Sequence, residues 1–310
     1  MQQAGRKAGL LVQVQENSTM TKVKDRKKGI LLLIASAFSF ASMSAVSTMV
    51  DGAGAMQKMF VRSAIVALVT VITMLVQKTP LKVRRDCLKE HFFRDLFGML
   101  GVVGNYYAVS HMLISDATMI MEMSPFFVIL LSAIFLKEKT DARQYAFVAL
   151  ALAGEALVVK PSAEIFTNKT TLIVLGASIC AGAAYMFVRS LGVKGENGSV
   201  TVLLFALFSM VCCIPSLIVS PMRLSGRSWL LLILMSLLAC LGQFTVTAAY
   251  KYAPGSEISI FDYSQVIFTA IFGWVLYRQL ADAMSFAGYV VIIGAALLMF
   301  LYNKKHNATE

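Results

Sequence analysis

The sequence predicts an all-α integral membrane protein with ten transmembrane helices, arranged as two inverted five-helix repeats. Three observations predict this class: a low charged fraction, ten long apolar stretches, and a pattern that occurs twice. Of the 310 residues, 58% are hydrophobic and only 15% are charged. Since a soluble domain carries about a quarter charged residues, most of this surface is expected not to face water.

Ten apolar stretches are each long enough to cross a bilayer. A hydrocarbon core of roughly 30 Å requires about 20 apolar residues in a helix. The stretches are 29–50, 55–76, 92–113, 117–136, 143–160, 170–190, 199–220, 229–250, 256–277 and 282–302. Because the connections between them are short, the sequence predicts one compact helical bundle and not a membrane anchor on a soluble domain.

One pattern occurs in both halves of the chain. The segment 107–112 leads into an apolar run that carries Glu122, and the segment 249–254 leads into an apolar run that carries Asp262. The two acids fall in register between the copies. Five spans in each half are an odd number, so the second copy is predicted to enter the membrane upside down relative to the first.

The net charge of +11 is distributed unevenly along the chain. Seven basic residues lie on the N-terminal tail and six more in 78–94, whereas few lie on the opposite side of the predicted membrane. Because cytoplasmic loops are enriched in Lys and Arg, both termini are predicted to be cytoplasmic. The positive charge is thus an orientation signal, and no nucleic-acid partner is expected. Residues 1–28 are predicted to be a disordered basic cytosolic tail, and both Met1 and Met20 are candidate starts.

Several motifs occur in the order typical of a known family. They are GMLGVVGN at 98–105, YAVSHM at 107–112, DAT at 116–118, SPFF at 124–127, LKEK at 136–139, IFDYSQ at 260–265 and FGW at 272–274. Through them the chain resembles the drug/metabolite transporter superfamily, in its EamA-type branch of ten-helix carriers. The forms of the motifs are similar to those of S-adenosylmethionine and riboflavin carriers and of relatives of nucleotide-sugar transporters. The resemblance implies a first repeat at 29–160, a second at 170–303, and a solute carrier with a central cavity.

Asp262 is the strongest candidate for a functional residue. Polar residues inside membrane spans are costly and are usually functional. On a regular α-helix Ser259, Asp262 and Gln265 share one face, and a polar face is expected to point to the bundle interior. We predict that this face binds substrate or a coupling proton; the alternative is an interhelical hydrogen bond or ion pair that only stabilises the bundle.

Glu122 is the equivalent acid of the first repeat, with Thr118 one turn before it and Pro125 after it. Proline weakens a helix locally because it lacks an N–H, so Pro125 is predicted to allow bending during gating. Arg62 and Glu155 fall at a similar depth. Two acids and one base at one level predict a structural ion pair formed by Arg62, with Glu122 or Glu155 as its partner.

Three further residues are weaker candidates for substrate contact. Gln243 and Asn105 lie on stripes of small and polar residues, which in membrane helices more often serve close packing. Tyr263 could stack on a planar substrate or lie at a helix interface. The five cysteines and three histidines are dispersed and no catalytic motif occurs, so no metal, no cofactor and no catalytic residue are expected.

Together these observations predict a secondary active transporter that moves a small amphipathic or zwitterionic metabolite across the cytoplasmic membrane by alternating access. The expected partners are the solute and the lipid bilayer. Coupling to protons, exchange for a counter-solute and assembly as a homodimer all stay open. The alternatives are a non-transporting scaffold or receptor, which predicts an extended extramembrane region, and an intramembrane enzyme, which predicts a buried nucleophile with its base.

Overall fold

The computed structural model describes residues 26–111, 120–138, 140–163, 169–220, 222, 224–278 and 282–306, with the backbone alone at 106, 108–110, 277 and 306. Every regular element in these ranges is a helix. This confirms the predicted all-α class. The predicted tail at 1–28 falls almost entirely outside the described residues, as does Thr118.

Ten labels cover the long helices. The helices of the first half are α1 (Arg26–Ser47), α2 (Ala55–Val76), α3 (Leu88–His111), α4 (Ser124–Phe135) and α5 (Ala142–Val159). The second half contains α6 (Thr170–Val193), α7 (Gly198–Val219), α8 (Gly226–Tyr252), α9 and α10 (Ala283–His306). The segment α9 combines a short α-helical turn (Gly255–Ile258), a 3₁₀ stretch (Ser259–Tyr263) and a longer α-helix (Ser264–Tyr277).

Most of the long helices have the length and composition of membrane spans. Among the described residues, eight helices are long and apolar enough to cross a bilayer. Their outer surfaces expose large apolar side chains, including Leu172 at 74% and Val219 at 86% exposure. A water-facing surface with so many exposed apolar side chains would be unfavourable, whereas lipid solvates them well.

Side chains at N-cap positions fix where two helices begin. At the start of α5, Asp141 accepts a hydrogen bond from the Arg143 N–H at 3.3 Å, and the Gln144 side chain accepts one from the Asp141 N–H at 3.0 Å. At the start of α7, Asn197 accepts from the Ser199 N–H at 2.9 Å. These bonds satisfy N–H groups that a helix start leaves without partners.

The most extensive contacts join helices of different halves. Helix α3 packs on α6, α5 on α10, and α2 on both α7 and α8. Helix α4 also packs on α6. The helices of the two halves are therefore interleaved, and the interface between the halves is lined by residues from both.

Glycines permit two of these close approaches. A Cβ atom at Gly104 of α3 would lie 2.3 Å from the Ala177 Cβ of α6. A Cβ at Gly288 of α10 would lie 2.5 Å from the Gly154 carbonyl oxygen of α5. Small residues at such positions let membrane helices pack backbone to backbone.

Candidate functional site

Glu122 lies where the fourth span is interrupted. The sequence predicted one continuous helix over 117–136, but Glu122 and Met123 form a turn and α4 begins at Ser124. Pro125 occupies the first turn of α4, where a missing N–H costs nothing and the fixed φ favours helix initiation. Pro125 therefore lies in the first turn of a helix, next to the turn at Glu122 and Met123, and its assignment to gating stays a prediction.

Two side chains from the second half satisfy the backbone carbonyls at this interruption. The Ser178 hydroxyl of α6 donates to the Met121 carbonyl at 3.3 Å. The Tyr263 hydroxyl of α9 donates to the Glu122 carbonyl at 2.9 Å. A buried carbonyl without a partner is costly, so these bonds stabilise the irregular backbone that presents Glu122.

Asp262 lies at the corresponding interruption of the second half. It belongs to the 3₁₀ stretch Ser259–Tyr263, which separates the two α-helical parts of α9. Mid-helix 3₁₀ stretches often mark functional positions. Within this stretch Ser259 and Tyr263 are buried, whereas Asp262 and the following Gln265 are half-buried. Both repeats therefore place their acid where the regular helix breaks.

Three carboxyl groups converge at the interface between the halves. Glu122 lies within electrostatic range of Asp262 and of Glu155 on α5. Glu155 is completely buried, and neither of its carboxylate oxygens has a hydrogen-bond partner in the described part of the chain. Tyr263 lies within electrostatic range of all three acids. The sequence placed Glu122 and Asp262 in register and Glu155 at a depth similar to that of Glu122, and in the structure all three lie within electrostatic range of Tyr263.

The predicted ion pair of Arg62 with Glu122 or Glu155 stays a prediction. The guanidinium carbon of Arg62 lies 5.8 Å from the ring centroid of Phe40. Arg62 is carried by α2, which packs on α7 and α8, whereas Glu155 is carried by α5, which packs on α10.

Tyr185 of α6 is a central residue that the sequence pattern did not reveal. Its hydroxyl lies within electrostatic range of four charged groups, the acids Asp262 and Glu122 and the bases Arg94 and Arg62. Its ring stacks on that of Tyr250, with centroids 5.3 Å apart. Nothing in the sequence around Tyr185 distinguishes it from a packing aromatic.

Arg94 was also missed, for a different reason. From the sequence it counted among the basic residues of the loop 78–94, although the apolar stretch of the third span was placed at 92–113 and includes it. Helix α3 begins at Leu88, and Arg94 in its second turn is only 3% exposed. A buried arginine in a membrane helix is a candidate functional residue by default.

The two weaker candidates, Gln243 and Asn105, differ in burial. Gln243 of α8 is buried, and Asn105 of α3 is half-buried. No described hydrogen bond joins either side chain to the three acids. Their proposed contact with a substrate stays a prediction.

Ion pairs between the halves lie at the end of the bundle where α1 and α9 begin. Arg26 pairs with Glu257 at 3.4 Å, and Arg189 pairs with Glu138 at 2.8 Å. At the same end His91 lies 3.3 Å from Glu196, and Lys194 pairs with Glu90. At the opposite end Lys160 pairs with Asp282. These contacts join the two halves at both ends of the bundle.

Most of the chain matches the model of a known protein family. A model described as the EamA-like transporter family matches residues 27–160 and, a second time, residues 168–301. The chain belongs to the EamA-like transporter family. The match confirms the resemblance inferred from the motifs, and it shows that two EamA units make up this protein.

Individual relatives of this EamA-family protein are transporters. The pseudopaline exporter CntI of Pseudomonas aeruginosa is 28% identical over 277 residues, which cover 88% of this chain and 96% of that protein. The riboflavin transporter of Brucella anthropi is 26% identical over 239 residues, which cover 76% and 84% of the two chains. A solved crystal structure at 14% identity superposes with a TM-score of 0.80 over 90% of this chain and 99% of its own. The last comparison shows a common fold. Taken with the apolar helices, the family makes this a multi-pass membrane protein that belongs to a group of transporters.

Proposed function

We propose that this EamA-family protein is a secondary active transporter of a small amphipathic or zwitterionic metabolite, such as an amino-acid derivative or a cofactor-like solute. It lies in the cytoplasmic membrane with both termini in the cytoplasm, as the distribution of basic residues indicates. The names of its relatives, an exporter of pseudopaline and a transporter of riboflavin, support small organic solutes as a class.

The observation that carries this proposal is the convergence of Glu122 and Asp262 from the two repeats. Each acid lies at an interruption of its helix, and the two lie within electrostatic range of each other. Interrupted helices at the interface between repeats are the usual site of substrate and ion binding in carriers built from inverted repeats. We assign Glu122 and Asp262 to binding of the cationic part of the solute or of a coupling proton.

The ion pairs between the halves support alternating access as the mechanism. The pairs Arg26–Glu257 and Arg189–Glu138 join elements of opposite halves at the end proposed to be cytoplasmic. Opening toward the cytoplasm requires these pairs to separate, since both cross the interface. The conformation described is therefore closed on that side, and relative movement of the halves exposes the acids to one side at a time.

The proposal is tested by uptake into proteoliposomes. Vesicles that contain the purified protein are incubated with a small-molecule extract of bacterial cells, and the compounds they accumulate are measured by mass spectrometry against protein-free vesicles. We expect at least one compound to accumulate, and we expect the variant Asp262→Asn to reduce its accumulation to the protein-free level while remaining folded.

The matched control is Asp51→Asn, which makes the same chemical change at an exposed position. This variant should transport like the wild type. Equal accumulation by wild-type and protein-free vesicles would contradict transport, and undiminished accumulation by Asp262→Asn would remove Asp262 from the mechanism.

A further inference from the structure

Arg94 has the features of a preorganised anion-binding side chain in the bundle interior. Its guanidinium carbon lies 3.6 Å from the ring centroid of Phe205 on α7, which holds the guanidinium against the aromatic face. Gly98, one turn further along α3, makes this arrangement possible. A Cβ there would lie 2.9 Å from the Phe205 ring.

The contacts of Arg94 within the described part of the chain leave donor capacity unused. Its Nη1 lies 3.4 Å from a carboxylate oxygen of the adjacent Asp95, longer than the roughly 2.7–2.9 Å typical of a charge-assisted hydrogen bond. Its buried Nε has no hydrogen-bond partner among the described residues. An arginine that is 3% exposed and only weakly paired is costly, unless a ligand supplies the missing acceptor.

The surroundings of Arg94 place it at the level of the acids. Arg94 and Arg62 lie within electrostatic range of each other, and Tyr185 lies within range of both arginines and of Asp262 and Glu122. At 1.5 Å per residue, Arg94 is about 9 Å along α3 from Leu88, and Tyr185 is about 12 Å along α6 from Val193. Asp262 is about 12 Å along α9 from Gly255, at 1.5 Å per residue in the α-helical turn and about 2.0 Å in the 3₁₀ stretch. All three therefore lie at a similar depth from the same end of the bundle.

We propose that Arg94 binds a carboxylate group of the transported solute, while Asp262 and Glu122 bind its cationic group. This inference rests on the proposed function and narrows its substrate class to zwitterions that carry both a carboxylate and an amine. Arg94 and Arg62 lie within electrostatic range of each other, and a bound carboxylate would offset the repulsion between their positive charges. The planar guanidinium offers two parallel donors that match the two oxygens of a carboxylate. Tyr185 lies within electrostatic range of Arg94 and of both acids, so it borders both charged parts of the proposed site.

The uptake assay tests this inference with a chemically matched pair of extracts. One portion of the small-molecule extract is left untreated, and the other is treated with acidic methanol to convert carboxylates to methyl esters. We expect wild-type vesicles to accumulate compounds that contain both a carboxylate and an amine from the first portion, and not to accumulate their esters from the second.

Variants of Arg94 supply the residue-level test. Arg94→Gln should weaken apparent affinity for the accumulated compound by about tenfold to hundredfold, the effect of losing hydrogen bonds to a charged group. Arg94→Lys keeps the charge without the paired donors and should be intermediate. Arg85→Gln, at an exposed position next to the same helix, is the matched control and should transport like the wild type.

A structural role for Arg94 is distinguished by the double variant Arg94→Gln/Asp95→Asn. This variant removes both charges of the pair, so it leaves no uncompensated Asp95 carboxylate and should fold even if Arg94→Gln does not. It should still show an apparent affinity for the accumulated compound about tenfold to hundredfold weaker than that of the wild type. Wild-type affinity in a folded Arg94→Gln or double variant, or accumulation of esters equal to that of free acids, would overturn this inference and leave the proposed function intact. Absence of any accumulation by the wild type would count against the proposed function itself, and this inference would fall with it.

Discussion

The Tyr263 hydroxyl donates a 2.9 Å hydrogen bond to the Glu122 carbonyl oxygen. This bond connects the interruption of the fourth span to the 3₁₀ stretch that carries Asp262. The second repeat therefore stabilises the break in the helix of the first. Because the two interruptions are in contact, a movement of one half displaces the backbone that carries the acid of the other half.

The first prediction concerns this bond. Tyr263→Phe removes the donor and leaves the Glu122 carbonyl without a partner, so we expect a loss of about 1–3 kcal/mol in the free energy of unfolding and slower uptake. Tyr107→Phe, at an exposed position, is the control and should leave both unchanged. Thermal denaturation in detergent with the uptake assay measures the two effects, and an unchanged Tyr263→Phe protein would show that the bond contributes nothing.

The second prediction concerns the contact of α5 with α10. In Gly288→Ala the new Cβ would lie 2.5 Å from the Gly154 carbonyl and 2.6 Å from a Val158 methyl group. We expect the helices to separate at a cost of about 1–3 kcal/mol, measured as a lower melting temperature.

Gly294→Ala is the matched control on the same helix, because no described atom lies within 4 Å of the position that its Cβ would occupy. It should be neutral or slightly stabilising, since alanine is the better helix former. Equal melting temperatures for the two alanine variants would mean that the close approach of α5 to α10 is not required.

The third prediction concerns closure at the proposed cytoplasmic end. Glu138→Gln weakens the pair with Arg189, which also donates to the Tyr250 and Lys251 carbonyls. We expect the halves to separate more often at this end, so that amide hydrogen exchange around the end of α8 becomes faster.

The control for this experiment is Asp86→Asn, which breaks the exposed pair of Arg84 with Asp86 within one half. It should not change exchange at the end of α8. Unchanged hydrogen exchange in Glu138→Gln would show that this ion pair does not control the opening of the site.

The fourth prediction concerns the pair of Lys160 with Asp282 at the opposite end. The hydrogen bond from Lys160 lowers the pKa of Asp282 to about 2. A lowered folded-state pKa gives stability that is present above the unfolded pKa of about 3.9 and is lost as the pH falls through about 2. The difference in melting temperature between wild type and Asp282→Asn should therefore be constant from about pH 5 to about pH 8. A difference that shrinks within this window would show that another titrating group controls the contact.

Much of the fold and part of the site could be predicted from local properties of the sequence. The ten apolar stretches predicted the helices because burial in lipid depends on composition over about 20 residues. The register between Glu122 and Asp262 predicted two related acids, and the structure brings them together. Pro125 was correctly singled out as a local irregularity, but its position as the start of α4 depends on where the preceding helix ends.

By itself the sequence determined the membrane-embedded helical class, the duplication and the acid of each copy, because hydropathy, charge and repetition are properties of the linear chain. Only the tertiary structure decided which side chains face one another. It placed Arg62 near Phe40, moved Arg94 from a polar loop into the bundle, and brought Tyr185 within range of two bases and two acids. The physical reason is that depth along a helix is set by residue number, whereas direction around its axis is set by packing against helices that lie far away in the sequence.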